Sequence, residues 1–145
     1  MTTATQPYSV ITSADTIAPL ILVVDDDAAV RKVLGRMLAH LGYTVCTASD
    51  TVTALEQVHN QPALSLALID LILDGQDGLD TARALRTARP ALPIVLMSGD
   101  PFRAARAATR LGSATYLGKP CLLEQLQAAM ELGLGGCTAR AVGNS

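Results

Sequence analysis

The chain has 145 residues, half of them hydrophobic but only 3% aromatic, and its 11 basic and 13 acidic side chains give a formal charge of -2. That is one ordinary domain, with a core drawn from Leu, Val, Ile and 23 Ala rather than from aromatic rings. The balance excludes a protein that coats nucleic acid through bulk positive charge, and the apolar content excludes a disordered acidic tail.

Five apolar, strand-like runs alternate with five helix-like stretches. Residues 20–24 (Leu-Ile-Leu-Val-Val) are short, β-branched and bounded by turn chemistry. Val30, Val33, Leu34, Met37, Leu38 and Leu41 then recur at offsets of three and four, predicting an amphipathic helix stopped by Gly42. A second strand is expected over 43–48. A second helix follows over 50–60, with Val52, Leu55 and His59 on one face. The third run, 64–69, is almost wholly apolar and ends at Asp70; a Gly-rich loop, 74–78, leads to a helix from Leu79 to about Arg89, closed by Pro90. A fourth strand over 93–97 passes through Ser98-Gly99-Asp100-Pro101 into an Ala-rich helix ending near Leu111. The last pair is a strand over 114–117 and a helix over 122–132.

Strands apolar on both faces and separated by helices imply a parallel sheet covered on both sides, an α/β class doubly wound fold with five strands and five helices. The expected division is a flexible N-terminal tail over 1–18, one domain over 19–133 and a flexible, Gly-bearing tail over 134–145. In such folds ligands bind beyond the carboxyl ends of the strands. Those positions hold Asp25, Asp26 and Asp27 after strand one, Asp70 after strand three, Ser98 after strand four and Lys119-Pro120 after strand five. Carboxylates crowded together repel one another unless a cation joins them. Hard oxygen donors of this kind suit Mg²⁺, which keeps several waters and shares phosphate oxygens. A metal and a lysine both draw charge from an incoming phosphoryl group, and Asp70, on the middle strand, is placed as the nucleophile. Ser98 can hydrogen-bond a phosphoryl oxygen. Asp27 sits where a helix begins and reads as its N-cap, and Asp74, Asp77 and Asp80 read as turn and cap residues.

The segments Ile21-Leu-Val-Val-Asp25-Asp26, Leu68-Ile-Asp70 with Gly78 eight residues on, Ile94-Val-Leu-Met-Ser98-Gly99 and Tyr116-Leu-Gly-Lys119-Pro120 together resemble the receiver domain of two-component response regulators, with a flavodoxin-like, CheY-like fold. The resemblance covers about 20–132. It implies Asp70 as phosphoacceptor from the phosphohistidine of a sensor histidine kinase or a histidine-phosphotransfer protein. It implies Mg²⁺ held by Asp25, Asp26, Asp70 and the backbone carbonyl of Ile72, with Asp26 the more direct ligand and Asp25 acting more through water. Ser98 and Lys119 would contact the phosphoryl group, Tyr116 matches an aromatic switch position or serves as a plain core tyrosine, and Pro120 suggests a cis peptide. Such domains signal rather than catalyse metabolism.

Three positions depart from the family pattern. Asp74 stands where Pro is common, adding a carboxylate beside the site, and Cys121 stands where Phe is common. Ile72 cannot orient a water, so slow spontaneous loss of phosphate is expected. Arg103, Arg106 and Arg110 share a face of the fourth helix, in the region from helix four to helix five through which receivers commonly contact output partners. That stripe is either a docking face for an acidic protein or a solvated surface. Only about a dozen residues follow Leu132, so a stand-alone receiver is expected, with a module of a hybrid kinase or a phosphorelay shuttle as the alternative. An aspartyl-phosphate hydrolase is the alternative of another class; it normally carries an acid two residues after its nucleophile, where Ile72 stands. An FMN site would need a phosphate loop where three aspartates stand. His40 and His59 read as surface residues. Cys46, Cys121 and Cys137 read as free thiols of a reducing compartment. With no apolar run near ~20 residues and no signal-like N-terminus, a cytoplasmic protein with no membrane and no direct nucleic-acid partner is expected.

Overall fold

The computed structural model describes residues 18–112 and 115–135. Five strands, β1 (Leu20–Val24), β2 (Thr44–Ala48), β3 (Leu64–Asp70), β4 (Ile94–Ser98) and β5 (Thr115–Gly118), alternate with five helices. These are α1 (Ala28–His40), α2 (Thr51–Asn60), α3 (Gly78–Ala88), α4 (Pro101–Leu111) and α5 (Leu123–Gly135). All neighbouring strands pair in parallel, in the order β2-β1-β3-β4-β5, so the expected doubly wound sheet is present with β3 in the middle.

Carboxylates start four of the helices. Asp27 caps α1 through Ala29 and Val30 N–H, Asp77 caps α3 through Leu79 N–H, and Asp100 caps α4 ahead of Pro101. Asp50 and Thr53 form a reciprocal capping box on α2, satisfying N–H groups that the helix cannot pair internally. Asp27 is therefore a cap, as its position in the sequence suggests.

Because side chains alternate across a strand, the sheet carries two separate apolar layers. Ile21, Val23, Leu66, Leu68, Val95 and Met97 face Leu34 and Leu38 of α1 and Leu126, Ala129 and Met130 of α5. Leu22, Val24, Ala67, Ile69, Ile94 and Leu96 face α2, α3 and α4. Each fully buried Leu or Ile contributes about 1.5–3 kcal/mol relative to exposure, so these layers rather than helix propensity hold the elements.

The structure corrects several sequence expectations. Val33 (55% exposed) and Val52 (64%) lie outside the core, and α2 buries Ala54 and Val58 instead of the face containing His59. Edge strand β2 is only half-covered, unlike the central strands. Helix α5 continues through Leu134 and Gly135, beyond its expected end; a Cβ on Gly133 would lie 2.5 Å from Leu66 Cδ1, so the glycine lets the helix lie close to the sheet. The segment after Asp70 is not a plain loop but a minimal antiparallel hairpin, Ile72–Leu73 against Gln76–Asp77, turning through Asp74-Gly75 with Gly75 at φ 71°. The rest of the two expected tails lies outside the described residues, as do Ala114 and Cys137.

Candidate functional site

Register brings the ends of the strands together. Val24 pairs with Ile69, Asp70 with Met97 and Ser98 with Gly118, so Asp25, Asp70, Ser98 and Lys119 lie along one edge of the sheet. Carboxylate oxygens of Asp25, Asp26 and Asp70 lie within 4.8 Å of one another. Asp25 and Asp70 are buried, and Asp26 is exposed. Lys119 bridges the buried pair, its Nζ donating to Asp70 Oδ2 at 2.9 Å and to Asp25 Oδ2 at 3.3 Å. The other oxygens of the pair accept backbone N–H groups, Asp25 Oδ1 from Asp27 at 2.9 Å and Asp70 Oδ1 from Ile72 at 3.1 Å.

Burial pushes the Asp25 carboxyl above its ordinary range; the Asp27 N–H opposes that, the Asp70 charge adds to it, and Lys119 works against it. Burial alone would depress the Lys119 ammonium, but its hydrogen bonds and charge pairing with Asp70 and Asp25 outweigh burial and raise it. Lys119 is therefore a fixed cation at neutral pH. One ammonium against three carboxylates leaves the cluster acid-rich, and Asp26 makes no hydrogen bond or ion pair among the described residues. An all-oxygen cluster with one uncommitted carboxylate fits a hard divalent cation such as Mg²⁺.

The surrounding backbone is tightly constrained. The Lys119 N–H donates to Ser98 carbonyl oxygen at 2.9 Å, and the Lys119–Pro120 peptide is cis, as the resemblance implied. Gly78 N–H donates to the Leu71 carbonyl at 2.9 Å, and a Cβ on Gly78 would collide with the Asp70 carbonyl oxygen and stand 2.5 Å from Leu71 Cα. Ser98 is buried, and its Oγ accepts the Asp100 N–H at 3.0 Å. Tyr116 is half-buried beside the layer that faces α4. The Ile72 side chain is 57% exposed at the rim.

Some candidates fall outside the cluster. Asp74 is exposed on the hairpin turn, in keeping with its reading as a turn residue, and is not among the carboxylates that come within 4.8 Å of one another. His40 and His59 are exposed, and burial raises the Cys46 and Cys121 thiols, which makes them poor nucleophiles. On α4, Arg106 and Arg110 are exposed and Arg103 half-buried, and none of them has an ion-pair partner among the described residues. Arg106 and Arg110 border a shallow depression with Ala105 and Thr109.

Two residues near the site were not singled out from the sequence. Arg31 Nη1 donates to the Asp25 carbonyl oxygen at 2.6 Å. Gln76 Oε1 accepts from Thr51 N–H at 3.2 Å and Thr51 Oγ1 at 3.0 Å, tying the hairpin to the start of α2. Both are long-chain contacts to backbone or across a gap in sequence, and only the β-α alternation hinted that their elements meet.

Residues 21–131 match the model of the response regulator receiver domain family. The response regulator MprA of Mycobacterium ulcerans is 44% identical over 111 residues, covering 76% of this chain and 47% of that protein. The chain thus spans about half the length of the curated relatives it matches. The crystal structure of the NtrX receiver domain from Brucella abortus superposes with a TM-score of 0.74 at 30% identity, over 80% of this chain and 98% of that one. Vibrio cholerae chemotaxis protein CheY4, at 23% identity, shares the fold with a TM-score of 0.75 over 81% of this chain and all of its own. No helix among the described residues is long and apolar enough to cross a membrane.

Proposed function

The chain belongs to the response regulator receiver domain family, and we propose that it is a Mg²⁺-dependent phosphorylation switch whose phosphoacceptor is Asp70. The observation that supports this reading most is the Asp25–Asp26–Asp70 cluster bridged by Lys119 at the strand ends. Receivers are signalling domains that take their phosphoryl group from histidine kinases. On this reading a sensor kinase or a histidine-phosphotransfer protein presents a phosphohistidine in the cytoplasm. An Asp70 carboxylate oxygen attacks phosphorus, the N–P bond breaks, and the imidazole nitrogen leaves with the bonding pair and takes up a proton. An acyl phosphate remains on Asp70.

Asp25, Asp26, Asp70 and the Ile72 carbonyl would hold Mg²⁺, which when bound neutralises charge developing on the phosphoryl oxygens. Lys119, already placed on Asp70 at 2.9 Å, adds its charge on the same side. The Ser98 hydroxyl is free to donate to a phosphoryl oxygen, because its hydrogen bond to the Asp100 N–H uses only its acceptor side. Drawing Ser98 toward the phosphoryl group would bias Tyr116 and the α4–β5–α5 face between two arrangements. Arg103, Arg106 and Arg110 would make that face complementary to an acidic downstream protein, with no direct contact to nucleic acid. Arg106 and Arg110, exposed beside a shallow depression and with no ion-pair partner among the described residues, support this.

Incubation with acetyl phosphate and Mg²⁺, read by intact mass, tests the switch. A Mg²⁺-dependent phosphoryl adduct is expected in the wild type and absent from Asp70→Asn. An adduct that persists in Asp70→Asn, or no adduct with any small donor, would refute the assignment.

A further inference from the structure

Asp26 is the one carboxylate of the cluster that nothing in the described structure holds. Asp25 is gripped at three atoms beyond its carbonyl, by its own N–H to the Ala48 carbonyl, by Asp27 N–H and by Lys119. Asp70 is gripped by Ile72 N–H and Lys119. The direction in which the Asp26 side chain leaves the backbone therefore depends on the peptide unit that joins it to Asp25. That unit lies beyond the end of β1, where no sheet neighbour among the described residues takes its carbonyl.

Arg31 takes it. The side chain reaches back from the end of the first turn of α1, and its Nη1 donates to the Asp25 carbonyl oxygen at 2.6 Å, a short charge-assisted bond. The Arg31 N–H donates in turn to the Asp27 carbonyl at 3.0 Å, so both ends of the residue grip the same turn. We propose that Arg31 is a positioning residue for the divalent-cation site, fixing the Asp25–Asp26 peptide plane so that the Asp26 carboxylate meets the metal. The inference rests on the metal site proposed above. It concerns a cation that supports cation binding, and that makes its sign informative. By charge alone, removing a guanidinium next to an acidic cluster strengthens binding of a divalent ion. By positioning, removing it weakens binding, as loss of an outer partner that orients a ligand commonly does by 10–100-fold.

The test is titration of the full-length protein with Mn²⁺, followed by electron paramagnetic resonance, with Mg²⁺ competition to show that both ions share the site. Thermal melts without metal run beside it. Arg31→Ala is expected to lower affinity about tenfold, and Arg31→Lys, which keeps a donor and the charge, to recover part of the loss. If Arg31→Ala does not fold, Arg31→Met, which keeps the aliphatic stem but deletes both the donor and the charge, is expected to lower affinity in the same direction. Affinity equal to or tighter than wild type in a folded Ala or Met variant overturns the positioning role while leaving the metal site intact. A wild type that binds neither ion overturns the site and the role together.

Discussion

Gly78 offers a test in which two physical effects predict opposite signs. It is the first residue of α3, capped by Asp77, where replacing Gly by Ala ordinarily stabilises a helix by up to ~1 kcal/mol. Here the added Cβ would stand 2.5 Å from Leu71 Cα and 2.9 Å from the Asp70 carbonyl carbon, and closer still to the Asp70 carbonyl oxygen. Comfortable carbon–carbon contact is about 3.5–4.0 Å, so something must yield by about 1 Å, and every atom in the way is backbone. Overpacking of this kind costs about 1–3 kcal/mol, which outweighs the propensity gain. For a domain between about 100 and 150 residues each kcal/mol moves the melting temperature by about 4 °C, so a net cost of about 1–2 kcal/mol gives an expected loss of about 4–8 °C for Gly78→Ala. The displaced carbonyl belongs to the proposed phosphoacceptor, so adduct formation with acetyl phosphate should slow as well. Melting by circular dichroism and a mass-detected phosphorylation time course measure both. A variant that melts at or above the wild-type temperature and phosphorylates at the wild-type rate would refute the close-approach argument.

Asp25→Asn should raise the melting temperature in EDTA and abolish the increase that Mg²⁺ gives the wild type. Burial holds the Asp25 carboxyl above its ordinary pKa, so its charge destabilises the metal-free fold. That penalty is full above the folded-state pKa and disappears below the unfolded-state value, so wild type and variant should converge on acidification; a lower melting temperature for the variant in EDTA at neutral pH contradicts this. Ile72→Asn supplies a side chain able to orient water at the rim and should speed loss of the acyl phosphate about tenfold, equivalent to ~1.4 kcal/mol of barrier. Following the adduct by mass after donor removal checks it, and an unchanged decay rate would end that explanation for a long-lived phosphoryl group.

The fold was legible because the buried strands are so nearly apolar. Leu20–Val24, Leu64–Asp70 and Ile94–Ser98 can sit only in a sheet covered on both sides, and the polar residues that follow them then fall along one edge. Periodicity was a poorer guide at the margins of helices. Val33 and Val52 satisfy a helical spacing yet face out, because a stripe of apolar residues can be wider than the surface that receives it. Gly133 stands just past the expected end of the last helix and has no side chain to extend its pattern, whereas its role is close approach to Leu66. The Asp74-Gly75 turn carried a hairpin signal, but two paired residues a side are too few for alternation to show. Arg31 was invisible as a site residue because its partner is a backbone carbonyl, which every residue possesses and no sequence displays.

The two apolar layers have a consequence for how this domain can change. Ile21 and Leu22 are adjacent in the chain but belong to different interiors, one closed by α1 and α5 and the other by α2, α3 and α4. Side chains in the two layers do not touch, so substitutions on opposite sides of the sheet should add in their effects on stability, whereas those within a layer should couple. Each half can therefore be remodelled, and its outer surface fitted to a different neighbour, without repacking the other. The row of strand ends is common property, and a change there is felt on both sides at once.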